Sequence, residues 1–176
     1  MADQKEKWQG WLALSTAIMA VLAALTTLYM GKYSSRAIMA QGQESDQWAH
    51  YQAKSIKGHT YEVNLKALEL QYLLQKGITQ ETAAEYQKTL SKYGEEIKRY
   101  DVEKNEIKDK AEGIAKVKLK AQEMGGDFAY ALIFLQIALM LSSIASLTKR
   151  HYLWYIALVC NVGWLFFFLD AWLLFY

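Results

Sequence analysis

The chain has 176 residues, with 20 Lys+Arg against 18 Asp+Glu and a formal net charge of +2, which fits neither a strongly basic nucleic-acid binder nor an acidic tail. One Cys excludes an intramolecular disulfide, and the absence of Pro removes the usual cause of kinked or broken helices. The mean hydropathy of −0.06 resembles that of a soluble protein, but it averages two unlike parts: residues 31–127 hold 16 of the basic and 15 of the acidic residues, a net of +1.

Residues 1–10 form a short N-terminal segment with Lys5 and Lys7, followed by an apolar run over 11–30 without a charge. About 20 apolar residues of helix cross a bilayer core, so this run is long enough to span. It exceeds the apolar core of a cleaved signal peptide, so a retained signal-anchor is expected. Trp8 and Trp11 open it and Tyr29 and Tyr33 close it, as expected of a belt of amphipathic rings at headgroup level. Ala13, Ala17, Ala20 and Ala24 form a stripe suited to close helix packing.

The charged region 31–127 reads as an extramembrane helical hairpin, with helices over about 45–76 and 79–124. Ser45, after Gly42, suits an N-cap, and residues 31–44 are expected to lengthen the first span outward. Trp48, Tyr51, Ser55, Gly58, Glu62, Leu65, Leu68 and Tyr72 then repeat at three- and four-residue steps. Gly77 suits the left-handed residue that ends a helix, and Thr79 the cap that starts the next. Beyond it Tyr86, Leu90, Tyr93, Ile97, Tyr100, Ile107, Ala111, Ile114 and Ala121 continue a coiled-coil seam, flanked by the pairs Lys92–Glu96, Glu95–Arg99, Glu106–Lys110 and Glu112–Lys116. A turn this short makes the helices antiparallel neighbours. Centring it near Gly77 sets Leu65 opposite Leu90, Gly58 opposite Ile97, Ser55 opposite Tyr100 and Trp48 opposite Ile107. The hairpin packing residues are thus Trp48, Tyr51, Gly58, Leu65, Leu90, Ile97, Tyr100 and Ile107. Lys104 falls on the seam near Tyr51, where it either fixes register or reaches past the seam to water. Tyr61, Val63, Leu70, Tyr72 and Leu74 include apolar positions off the seam that call for a third surface. The hairpin is expected to stand off the bilayer and re-enter at a joint at Gly125-Gly126.

Two more apolar runs follow, 128–147 and 152–176, joined by the short basic loop 148–151. Tyr152, Trp154 and Tyr155 open the last run, and Trp172 and Tyr176 close it. The architecture expected is therefore an all-α membrane protein: three transmembrane helices and a long antiparallel α-helical hairpin between the first and second. Lys149-Arg150-His151 and the N-terminal lysines lie on one side of a three-span chain, and the positive-inside rule makes that side cytoplasmic. The hairpin and C-terminus then face the periplasm.

Three stretches resemble the bacterial three-pass membrane family catalogued as domain of unknown function 4337. They are Trp8-x-x-Trp11 with the following Leu12-Ala13-Leu14-Ser15-Thr16-Ala17, the segment Ser45-Asp46-Gln47-Trp48-Ala49-x-Tyr51-Gln52-Ala53-Lys54-Ser55-Ile56-Lys57, and Gln136-Ile137-Ala138 with Leu147-Thr148-Lys149-Arg150 and Trp154-Tyr155. The resemblance covers nearly the whole chain. It implies a multi-pass protein of the bacterial inner membrane and supplies no catalytic residues.

Candidates for chemistry are few. Asp170 is the one ionisable residue in the apolar runs, and its position beside Trp172 places it near the far interface rather than at mid-bilayer. Gln136, Asn161 and Asp170 make a possible intramembrane polar site; Gln136, Asn161 and the Ser142-Ser143-Ser146 group act more often as helix–helix glue than as a pore lining. His59 and Glu62 share a helix face, but His50 points away, so no metal site and no cofactor are expected. Phosphate loops, nucleophile elbows and metalloprotease helices are missing, so the chain does not read as an enzyme. The leading reading is a non-enzymatic, self-associating scaffold or envelope-organising protein whose partners are the lipid bilayer and its own copies. A homo-oligomeric channel or transport protein is the second, and an accessory subunit of a larger membrane complex the third.

Overall fold

A computed structural model describes residues 2–75, 77 and 79–173, with side chains from Trp8 onward. The expectations for the Lys5 and Lys7 side chains, for the helix end at Lys76 and for Tyr176 fall outside it. The described chain is all helical: α1 is Ala2–Leu74, α2 is Gln80–Thr148 and α3 is His151–Leu173. Each is long and apolar enough over part of its length to cross a membrane. The chain divides into an apolar unit, residues 1–39 and 117–176, and a hairpin unit, residues 40–116.

Two expected joints do not exist. Ser45 caps nothing, because α1 is helical on both sides of it, and Gly125-Gly126 lies within α2. An interior Gly costs a helix only about 1 kcal/mol relative to Ala, too little to break one flanked by good helix formers. Gly125 serves packing instead. It is buried, and a Cβ there would sit 3.6 Å from Ser34 Oγ and 3.7 Å from the Ser34 backbone nitrogen, so its bareness lets α1 and α2 approach.

In the apolar unit, α1, α2 and α3 meet in two buried layers. Met19, Leu135, Ala138 and Ala157 form one, with Leu22, Cys160 and Trp164 against it. Tyr33, Met124, Phe128 and Ala171 form the other, where Phe128 stacks on both Tyr29 and Tyr33 and meets Phe168 edge-on. Small residues bring the backbones close, and large rings fill the gaps that remain. Gly163 shows how tight this is, since a Cβ there would lie 2.8 Å from the Phe134 ring. The link between α2 and α3 turns at Lys149, whose φ of 55° is left-handed.

In the hairpin unit, Gly77 takes φ +81° and ends the turn after α1. Thr79 starts α2: its carbonyl accepts from the Ala83 N–H at 3.0 Å, and its hydroxyl accepts from the Thr82 N–H at 3.4 Å. The seam faces inward over its whole length. Tyr100, Ile107 and Ala111 are buried, and Trp48, Tyr51, Ser55, Gly58, Leu65, Leu68 and Tyr72 are half-buried. The register differs from the one expected. Gly58 packs against Tyr100, where an added Cβ would sit 3.5 Å from the Tyr100 Cβ, rather than directly against Ile97. Lys54 reaches Glu103, and Tyr72 meets Tyr86. Against the expected pairing, the partners in these three contacts lie two or three residues further along α2. The tyrosines account for the slip: Tyr61 packs on both Tyr93 and Tyr100, an arrangement that a Gly opposite Tyr100 makes room for.

Gly58 is therefore the position on which the hairpin's register turns. Gly58→Ala places its methyl at ordinary contact distance and is expected to leave thermal unfolding unchanged or slightly raised. Gly58→Leu overpacks the Tyr100 layer and is expected to cost about 1–3 kcal/mol. Circular dichroism melts of the full chain in detergent check both; equal melts for Gly58→Leu and the parent would contradict the packing described.

Candidate functional site

The hairpin's polar groups gather around the Gly58–Tyr100 layer. A cleft of about 70 Å³ there is lined by Lys54, Ser55, Gly58, His59, Glu62, Ile97, Tyr100, Asp101 and Lys104, so Ile97 shares the Gly58 neighbourhood without being its closest partner. Lys54 donates to Glu103 at 2.5 Å across the two helices. That hydrogen bond is the main reason the Glu103 carboxyl titrates below its ordinary value, with burial opposing and the Lys54 and Arg99 charges adding. Arg99 is held above its ordinary value chiefly by its contact with Tyr100, over whose ring its guanidinium lies at 5.1 Å. Its Nη2 is 2.7 Å from Glu96 Oε2, an ion-pair distance at an angle poor for a hydrogen bond.

Lys104 lines the Gly58 cleft, and its bond goes to a neighbour on its own helix rather than across the seam. It is half-buried and donates to Asp101 at 2.9 Å, which raises its pKa against the opposing effect of burial. The four i,i+4 pairs read from the sequence do not form among the described residues; α2 carries instead, among others, Arg99–Glu96, Arg99–Glu103, Lys104–Asp101 and Lys108–Glu112. An exposed pair is worth a few tenths of a kcal/mol, so other neighbours on the same helix readily take its members, as Glu96 and Glu103 take Arg99 and Lys108 takes Glu112. His59 Nδ1 lies 2.7 Å from Glu62 Oε2, as their spacing allows, while His50 is exposed elsewhere. Among the described residues no three His, Cys, Asp or Glu come together as metal ligands.

In the apolar unit, two indole N–H groups tie α3 to α1. Trp154 Nε1 donates to Ser15 Oγ and Trp164 Nε1 donates to Thr26 Oγ1, both at 3.1 Å. Thr26 is fully buried, and its own hydroxyl donates to the Leu22 carbonyl at 2.8 Å. These contacts are absent from the reading of the sequence, which treated Trp154 as an interfacial ring. The available signal was that an indole buried in an apolar span needs an acceptor and that hydroxyls are the nearest class.

The three intramembrane candidates do not converge. Gln136 is exposed on α2, Asn161 spends its amide on the Ala157 carbonyl at 3.2 Å, and Asp170 is exposed in the last turns of α3. None of the three is hydrogen-bonded to another among the described residues. Asp170 lies next to Ala171 of the Phe128 layer, at the edge of the apolar runs. Burial raises the pKa of Asp127, and the nearby Asp170 and Glu123 charges add to that rise.

The Ala13, Ala17, Ala20 and Ala24 stripe is exposed rather than packed within the chain. Ala13, Ala17 and Ala20 instead line an open groove of about 560 Å³ with Ser142, Ser143 and Ser146. Ser142 is buried there, and its hydroxyl has no partner among the described residues.

The chain belongs to the family described as domain of unknown function (DUF4337), whose model matches residues 8–174. The family's description carries no activity. Neither the curated proteins nor the solved structures give a significant match to this chain.

The Lys54–Glu103 bond makes a pH prediction. Because the folded pKa of Glu103 is lowered, the contribution of the pair is present above the unfolded value of about 4.3 and is lost as pH falls through the lower folded value. Melting temperature of the full chain is expected to drop on acidification below about pH 4.5, and less steeply in Glu103→Gln. Identical acid limbs in the two proteins would remove the pair from the account.

Proposed function

We propose that the protein is a non-enzymatic scaffold of the bacterial inner membrane that works by self-association through the outer face of its hairpin. One observation carries this reading. Ala49, Ala53, Ile56, Thr60, Val63, Ala67, Leu70 and Leu74 follow alternating four- and three-residue steps along α1, and every one of them is exposed. Ile56, Val63, Leu70 and Leu74 are 60–79 % exposed. A heptad seam nearly four repeats long is a surface built to meet another helix, and its cost in water is relieved when one covers it. It lies on a different phase from the seam that closes the hairpin. Val63, Leu70 and Leu74 of the off-seam residues belong to it, whereas Tyr61 and Tyr72 are taken up inside the hairpin.

A second copy is the occupant that fits. Two copies with one orientation in a bilayer present α1 in parallel, related by an axis along the membrane normal. Parallel pairing of this seam places Gln52 beside Lys57, His59 beside Asn64 and Lys66 beside Gln71, without opposing like charges. The exposed Ala13–Ala24 stripe of the first span gives the same copies a close-packing face within the bilayer. The Lys149-Arg150-His151 link supports a cytoplasmic placement for that loop and a periplasmic one for the hairpin.

Native mass spectrometry of the full chain in nanodiscs tests the proposal. A single defined multiple of the chain mass is expected, and Ile56→Lys with Val63→Lys is expected to return it to monomer while leaving helix content unchanged. A monomeric parent, a parent bound to one different protein, or an unaltered multiple in the double variant would each sink it.

A further inference from the structure

Two clefts of the apolar unit share a wall. The first, of about 250 Å³, is lined by Arg36, Lys120 and Val117 over a floor of Tyr33, Ala121 and Met124. The second, of about 180 Å³, also uses Tyr33 and Met124 and continues to Tyr29, Lys32, Phe128, Ala171 and Trp172. Arg36 and Lys120 form no ion pair among the described residues, and no carboxylate lines either cleft. The shared wall of Tyr33 and Met124 is nearly closed to solvent, as is Ala121 beside it in the first cleft, each 5 % exposed or less. Lys32 follows the contour, with its ammonium 5.6 Å from the centre of the Tyr33 ring.

The order of these groups along the helices matters. Arg36 lies one turn beyond Lys32 on α1, and Lys120 one turn before Met124 on α2, so the cationic cleft sits about 5–6 Å along the axes from the aromatic one. The aromatic cleft lies where the apolar runs end. Guanidinium and ammonium groups without a carboxylate, stacked one turn above a cleft of rings and Ala, match a molecule with a phosphate at one end and hydrocarbon at the other. A headgroup phosphate would take the Arg36 fork and the Lys120 point charge, with acyl carbon over Phe128, Ala171 and Trp172.

We propose that this pair of clefts is a binding site for a phosphate-bearing anionic lipid. The proposal rests on the membrane reading above. A solvated set of interfacial cations would attract anionic lipid diffusely, in proportion to charge alone. A site built on two specific residues over a closed floor of Tyr33, Ala121 and Met124 retains individual lipids.

The test is native mass spectrometry of the full chain released from nanodiscs of phosphatidylglycerol and phosphatidylcholine in equal parts. The parent is expected to keep phosphatidylglycerol adducts in preference to phosphatidylcholine, and Arg36→Gln with Lys120→Gln to weaken their retention by about thirtyfold, at roughly tenfold or less per interfacial cation. Lys149→Gln with Arg150→Gln removes the same charge from the other end of the spans and is expected to keep the adducts. Equal loss in both double variants, no loss in the first, or equal retention of the two lipids would overturn the site. Inorganic phosphate at millimolar concentration separates the two sources of the anion: it is expected to leave the adducts in place, and displacement would show that phosphate alone suffices and overturn the lipid assignment. Failure of the parent to enter nanodiscs at all would contradict the membrane reading itself, a result distinct from any of these.

Discussion

Every level of this fold depends on the continuity of two backbone ladders. A helix in hydrocarbon must satisfy its N–H and C=O groups within itself, because neither water nor an edge partner is available. This chain meets that demand in α1 and α2 and then carries the same helices on through charged sequence, 73 and 69 residues long. Nothing in the sequence opposes this: Pro is absent, and isolated Gly residues are too weak to stop a helix. The hydroxyls of Thr16, Thr26 and Thr27 donate to carbonyls four residues back, so even the polar residues of the first span return to their own helix.

Continuity turns local packing into register. The seam phase is carried along each helix, so a choice of layer at Gly58 and Tyr100 decides what meets at every other layer of the hairpin. Small residues make the choices in both units. Gly58 admits Tyr100, Gly125 admits Ser34, and Gly163 admits the Phe134 ring. Polar contacts then select among packings of similar area: Lys54 to Glu103 in the hairpin, and the two indole N–H groups to Ser15 and Thr26 in the apolar unit. Such bonds each contribute on the order of 1 kcal/mol or less, but they distinguish arrangements that hydrophobic contact alone leaves close in energy.

Much of this was legible in the residues. The three apolar runs, the turn at Gly77 and Thr79, and the inward face from Trp48 to Tyr72 follow from composition and period. The register was not, because a turn length fixes opposition only to within a helical turn, and the decision falls to the Tyr61–Tyr93–Tyr100 cluster. The joints at Ser45 and Gly125-Gly126 failed because capping signals compete with propagation, which wins where a helix is already nucleated on both sides. The outer seam from Ala49 to Leu74 was present in the sequence at the same period. It was hidden by a second phase with larger aromatic residues, and only exposure separates the two. The polar residues of the apolar runs carried the least information, since one chain leaves Gln136 and Asp170 exposed and Asn161 bonded to its own helix.

The claim beneath all of this is that α1 and α2 run unbroken from apolar into charged sequence. Amide hydrogen exchange of the full chain in nanodiscs addresses it directly. The account predicts slow exchange through residues 38–48 and 121–130, comparable to the helix on either side, with fast exchange confined to the turn around Gly77 and the ends of the chain. Exchange near the unprotected rate at Gly42–Ser45 or at Gly125-Gly126 would contradict it, because it would place a hinge where the structure has a helix.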